Sequence, residues 1–216
     1  FTNLIVGVWL GRLTRRPVVL DFRDAWVADP TLRAACKPYL FRLHAAQERR
    51  VIRAAHRVIA TNPAVMRDFQ ERYPECPATR FMTIFNGFDR DDFIRLASPA
   101  VPVHDRFTLV YTGRLYAERT PRYFLEALAQ AFQEVPDMRR QTRVLFVGSC
   151  EPFLDGRRTE DYLVELGLNE VVELTGQVSR AESLAYQETA DVLLLIIGRV
   201  SEEGRFTYGI SGKVFD

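Results

Sequence analysis

Arg114 and Arg119, set five residues apart in TGRLYAER, are the first residues whose type and spacing could do chemistry. They lie after an apolar run and just before Thr120-Pro121, a helix-opening pair. Two guanidinium forks placed there could hold a diphosphate bidentately near a helix amino end, although two exposed arginines are also commonly just solvated. A second candidate is YGISGKVFD, where backbone N–H groups from Gly209 to Lys213 could form an anion-binding helix start. It is not a Walker A loop, because Thr207 stands where that motif has its first glycine and Val214 where it needs Ser or Thr. The third candidate is DFRDAW. Asp21, Arg23 and Asp24 bring alternating charges to the end of an apolar strand, where Arg23 and Asp24 could act as catalytic residues that position hydroxyls or a departing phosphate. The same residues could instead close into an internal salt-bridge cluster.

Composition narrows the classes of function. The 216 residues are 47% hydrophobic and 26% charged, enough apolar content for one large domain or two small ones. Lys plus Arg is 29 against 28 for Asp plus Glu, and a formal charge of +1 provides no field for coating nucleic acid. The longest apolar runs, near Leu4–Leu10 and Val192–Ile197, fall far short of the roughly 20 residues that cross a bilayer. Cys36, Cys76 and Cys150 are odd in number and widely spaced, so neither a disulfide framework nor a metal site is expected. His44, His56 and His104 show no partner spacing, and none is assigned a catalytic role. Residues 31–57 hold seven basic residues and one acid, Glu48, a local charge of +6 that suits either a solvated helix face or peripheral contact with anionic lipid.

The elements that must carry these groups follow from periodicity. TNLIVGVWLGRLTRR reads as an amphipathic helix with Leu4, Ile5, Val8 and Trp9 on one face, broken by Pro17. PVVLDF, HRVIATN and RFMTIF read as short strands, separated by a helix from about Leu32 to Arg57 and another opened by Asn62-Pro63. The proline-bearing stretch 96–106 reads as a linker between domains at 1–95 and 107–216. The alternation then restarts: strand FTLVYTG, a helix from Pro121 capped by Thr120, strand RVLFVG, a helix near 159–166, strand VVELTG, a helix from Ser179, and strand DVLLLII. Such alternation predicts two doubly wound α/β, Rossmann-like domains with parallel sheets. In sheets of this kind ligands sit outside the carboxyl ends of the strands, and Gly113, Gly148, Gly176 and Gly198 close all four strands of the second half.

The order of these motifs resembles the retaining family-four glycosyltransferases of GT-B fold. PVVLDFRDAW, ERRVIRAAHRVIATN, IFNGFDRDDF, LVYTGRLYAERTP, RVLFVG, VVELTGQVSRAESL, ADVLLLI and GKVFD carry the resemblance over nearly the whole chain. It implies that Gly113, Arg114 and Arg119 form the donor-phosphate loop, with Arg119 where the family usually has lysine, and that Lys213 also serves the phosphates. Backbone around Gly148, Gly176 and Val178 would face the nucleotide, and Asp216 would stand where a glutamate holds the ribose. The first glutamate of that pair is replaced by Tyr208, and a histidine common at the end of the first strand is replaced by Arg23.

The resemblance further implies transfer of a sugar from a nucleoside diphosphate donor to a saccharide or lipid-linked acceptor with retained configuration. No cofactor and no metal would be needed, since arginines would neutralise the departing diphosphate, and nucleic acid would not be a partner. A cytoplasmic location, with possible peripheral contact at an anionic membrane face, is expected. Both domains are expected to be incomplete and the chain inactive alone, lacking the first acceptor-side strands and the end of the donor-side domain. The rival readings are a sugar-nucleotide epimerase or hydrolase of similar fold and a non-catalytic nucleotide binder.

Overall fold

Parallel strands joined by helices organise the chain, as a computed structural model shows for residues 1–91, 105–116, 119–152 and 156–197. Lys213, Asp216, Gly198 and most of the linker region lie outside the described residues. The described residues fall into two compact units, Phe1–Phe88 and Asp89–Arg199.

In the first unit, α1 (Thr2–Thr14) ends at Arg15, whose φ of 55° lets its amide and that of Arg16 turn back onto the carbonyls of Arg12 and Gly11. Gly11 is needed there, since a Cβ would stand 2.1 Å from the side chain of Val18. The strands β1 (Val19–Phe22), β2 (Arg57–Ala60) and β3 (Phe81–Thr83) form a parallel sheet in the order β1-β2-β3, with Leu20 opposite Val58 and Val58 opposite Phe81. Between β1 and β2 lie two helices, α2 (Pro30–Ala35) and α3 (Pro38–Ala54), where a single one was expected. Pro38 is the reason: it has no N–H to continue α2 and suits the first turn of a new helix. Asn62 starts α4 (Pro63–Arg72) as expected, its side-chain oxygen accepting from the amides of Ala64 and Val65 at 2.9 and 3.0 Å.

The core of this unit gathers Leu20, Phe22, Trp26, Ile52, Val58 and Phe69. One expectation needs correcting. Trp9 is 71% exposed, and the buried side of α1 is Val8 and Gly11 with Leu4 and Ile5 packed alongside. In β1, Val19 and Asp21 are exposed while Leu20 and Phe22 are buried. Inside the helical layer Glu48 is wholly buried and fully partnered, accepting from the Val27 amide at 2.8 Å, the Tyr73 hydroxyl at 2.5 Å and the Arg72 guanidinium. Burial alone would lower the pKa of Arg72, but its hydrogen bond to Asp68 and the charge of Glu48 raise it; burial and Glu48 push that of Tyr73 up.

The second unit runs β4 (Phe107–Thr112), α5 (Arg122–Glu134), α6 (Pro136–Gln141), β5 (Thr142–Val147), α7 (Thr159–Glu165), β6 (Val172–Gly176), α8 (Arg180–Glu188) and β7 (Val192–Leu193). Its sheet is parallel in the order β6-β5-β4-β7, so strand order reverses at β4. β5 is buried along its whole length: Val144 and Phe146 pack with Leu125 and Phe132 on one side, and Leu145 and Val147 with Tyr186 and Ala190 on the other. The inward face of α5 is Leu125, Leu128 and Phe132, with Phe124 and Ala129 packed alongside, and Thr120 accepts from the Arg122 amide at 3.2 Å. The short helix α6 was not foreseen, and β7 is shorter than the apolar run DVLLLII suggested.

Candidate functional site

The carboxyl ends of β4, β5 and β6 are drawn together by backbone contacts between loops. Beyond the strands the ladder continues, with the Gly113 amide donating to Val147 at 2.7 Å and the Leu115 amide to Ser149 at 2.9 Å. The Glu151 amide then donates back to Leu115 at 2.9 Å, and the Gly148 amide to Gly176 at 3.0 Å. Gly148 has a φ of 130°, and a Cβ on it would lie 2.3 Å from the carbonyl oxygen of Gly113. Only glycine lets the two loops approach so closely. Gly113 and Gly176 also have positive φ, at 120° and 72°.

A depression of about 550 Å³ opens beside these glycines. One wall is Gly113, Arg114, Gly148, Ser149 and Glu151; the other is Gln177, Val178, Ser179, Arg180 and Ser183. The second wall is the start of α8, fixed by a reciprocal cap in which Ser179 accepts from the Glu182 amide and Glu182 accepts from the Ser179 amide. Arg114 pairs with Glu151, and this hydrogen bond and charge raise the pKa of the guanidinium. The Arg114 carbonyl accepts from the Tyr111 hydroxyl at 3.1 Å, which anchors the backbone of the loop to the core. The side chains of Arg114 and Ser149 on the loops and of Arg180 and Ser183 on α8 put hydrogen-bond donors around glycine backbone, a surface that an anion with several oxygens can use.

Of the residues singled out in the sequence, Gly113, Arg114, Gly148 and Val178 line the depression, while Gly176 does not line it and its carbonyl accepts from the Gly148 amide. Arg119 does not line it; its guanidinium lies over the Tyr116 ring, 5.5 Å from the centroid. In the first unit, Arg23 and Asp24 are exposed just after β1, and the Arg23 carbonyl accepts from the Thr61 hydroxyl at 3.0 Å. His44 and His56 have structural partners: His44 accepts from the Trp26 indole at 3.2 Å and His56 from the Val18 amide at 3.0 Å. Sequence reading missed Glu151, Gln177, Arg180 and Ser183 as lining residues. Besides Val178, the S-x-x-E pattern of Ser179 to Glu182, which marks a helix start, is the signal in the sequence that points to that wall.

Residues 1–87 match the family model of the glycosyl transferase 4-like domain. Over 157 residues the chain is 31% identical to D-inositol 3-phosphate glycosyltransferase of Kineococcus radiotolerans, a match spanning 68% of this chain and 35% of that protein. The fold matches Anabaena HepE, solved in complex with UDP and glucose, at TM-score 0.55 and 22% identity over 89% of this chain and 49% of that one. It also matches a UDP-forming α,α-trehalose-phosphate synthase from Burkholderia xenovorans at TM-score 0.62 and 11% identity, over 92% of this chain and 51% of that one. Residues 1–87 thus match a glycosyl transferase 4-like domain, and the fold is that of the GT-B glycosyltransferases. The chain spans about a third of that curated relative and about half of each of these two solved structures. The matched domain covers the unit with Arg23 and Asp24, whereas the glycine-lined depression belongs to the other unit.

Proposed function

We propose that the whole protein transfers a sugar from a nucleoside diphosphate donor to a saccharide or lipid-linked acceptor with retention of configuration, and that the second unit holds the donor. The observation that carries this reading is that Arg114, its guanidinium paired with Glu151, lines a depression together with Gly113, Gly148 and the first turn of α8. A diphosphate placed there would accept from Arg114, and Arg119 is six residues further round the same loop from Gly113. Lys213 and Asp216 are proposed to serve the phosphates and the ribose, as the resemblance implies.

The chemical role is electrostatic. As the bond to the sugar breaks, negative charge grows on the departing diphosphate, and preorganised arginines stabilise that charge more than the ground state. In this proposal no metal or cofactor takes part. Arg23 and Asp24, at the end of β1, are proposed to hold acceptor hydroxyls or the departing phosphate. A cytoplasmic address is part of the reading, in keeping with an odd number of widely spaced cysteines, Cys36, Cys76 and Cys150.

A panel of sugar nucleotides, assayed with and without saccharide acceptors, tests it, with the anomeric configuration of the product read by proton coupling constants. Donor-dependent transfer with the donor's configuration supports the reading. Inverted product would overturn retention, and donor loss indifferent to every acceptor would make the protein a hydrolase.

A further inference from the structure

The donor reading leaves the carboxylate of Glu151 without a task, although it shares the rim of the depression with Arg114 and pairs with it. Their meeting is set by the backbone and not left to two long side chains in solution. Leu115 donates to Ser149 and accepts from Glu151, so the loops after β4 and β5 stay in register and bring Glu151 alongside Arg114. A carboxylate presents two oxygens to a guanidinium fork as a phosphate does. Arg114 is 63% and Glu151 45% exposed, so water screens the pair and it can be exchanged at small cost.

We propose that Glu151 is a built-in stand-in for the donor's phosphate, which holds the Arg114 guanidinium at the rim of the depression until a diphosphate displaces it. The inference rests on the reading of Arg114 as a phosphate ligand. Before the donor arrives, the carboxylate fixes the guanidinium in place and limits its capture by stray anions. When the diphosphate arrives, Arg114 changes partner, and Glu151 becomes a like charge near the ligand. Its presence therefore lowers anion affinity, which favours release of the nucleoside diphosphate after transfer.

The test is calorimetry of the full-length protein with inorganic pyrophosphate, a probe that depends on no particular base. The variants are Glu151→Gln, Glu151→Ala, Arg114→Ala and Arg114→Ala combined with Glu151→Gln, each checked for an unchanged melting temperature. Neutralising Glu151 should tighten pyrophosphate binding about three- to tenfold at low salt, a gain that narrows as the Debye length shrinks to about 8 Å at physiological strength. In the Arg114→Ala background the same change should give less than about twofold, the size of a general charge effect. Unchanged or weaker binding by both Glu151 variants would overturn the inference, provided Arg114→Ala alone weakens binding. Equal tightening in both backgrounds would overturn it too. If Arg114→Ala binds as well as the unaltered protein, or if that protein binds no pyrophosphate, the phosphate reading itself fails and takes the inference with it.

Discussion

At the scale of single residues, Gly148 and Arg114 separate architecture from chemistry. Gly148→Ala would put a methyl group 2.3 Å from the Gly113 carbonyl at a φ that L-residues rarely adopt. Strain of this kind costs on the order of 2 kcal/mol or more, so urea denaturation should show a clear loss of stability together with weakened donor binding. Arg114→Ala should leave stability nearly untouched, since its side chain is exposed, yet weaken nucleoside diphosphate binding roughly ten- to a hundredfold, as expected for a charge-assisted hydrogen bond of about 1.5 to 3 kcal/mol. Calorimetry checks the second outcome, and affinity unchanged in that variant would remove Arg114 from the phosphate site. The glycines of this site could be read in the sequence because each closes an apolar run. Glu151 could not be, since its pairing joins loops 37 residues apart and exists only once β4 and β5 are in register.

Elements explain both what was legible and what was not. The strands are short apolar runs ended by Gly or polar residues, and every run lies on a strand that forms, even where the strand is shorter than the run. Helix faces were harder, because α1 is apolar nearly all round and the core selects Val8 and leaves Val6, Trp9, Leu10 and Leu13 exposed. Arg12, Arg15 and Arg16 flank that exposed stripe at the end of α1. In the +6 segment, by contrast, Arg49 and Arg53 both pair with Glu75, which uses part of its charge inside the protein. If the protein touches anionic membrane, α1 is therefore the better seat. Co-sedimentation with anionic vesicles should fall steeply with added salt and with Trp9→Ser plus Arg12→Ser, and equal binding to neutral vesicles would refute the contact. Glu48 is a separate case: breaking a buried pair typically costs about 3 to 5 kcal/mol, so Glu48→Ala should destabilise the first unit by that order in thermal melts. The net charge of the segment gave no hint that its one acid is its best-partnered residue.

For the molecule as a whole, each unit encloses its own core, while the chain spans about half of the solved relatives it matches. The 216 residues are therefore expected to bind a donor's phosphates without turning the donor over. Binding needs only the loops of one unit, whereas transfer needs donor, acceptor and reacting atoms fixed together. Positioning of that kind can lower a barrier by about 7 to 11 kcal/mol, so its loss should reduce the rate by many orders of magnitude. Apolar surface is also open: in the described residues Leu193, Leu195 and Ile197 are between 41% and 57% exposed at and just beyond β7, on the edge of the second sheet. Aggregation at high concentration is the expected consequence. A side-by-side transfer assay of the 216 residues and of a longer chain containing them, with a panel of sugar nucleotides, separates the cases. Equal donor-dependent transfer by both would show that these residues hold the whole reacting geometry. Binding without transfer by the shorter chain, with transfer by the longer, is the expected result, because the phosphate grip and the reacting geometry are different demands on the fold.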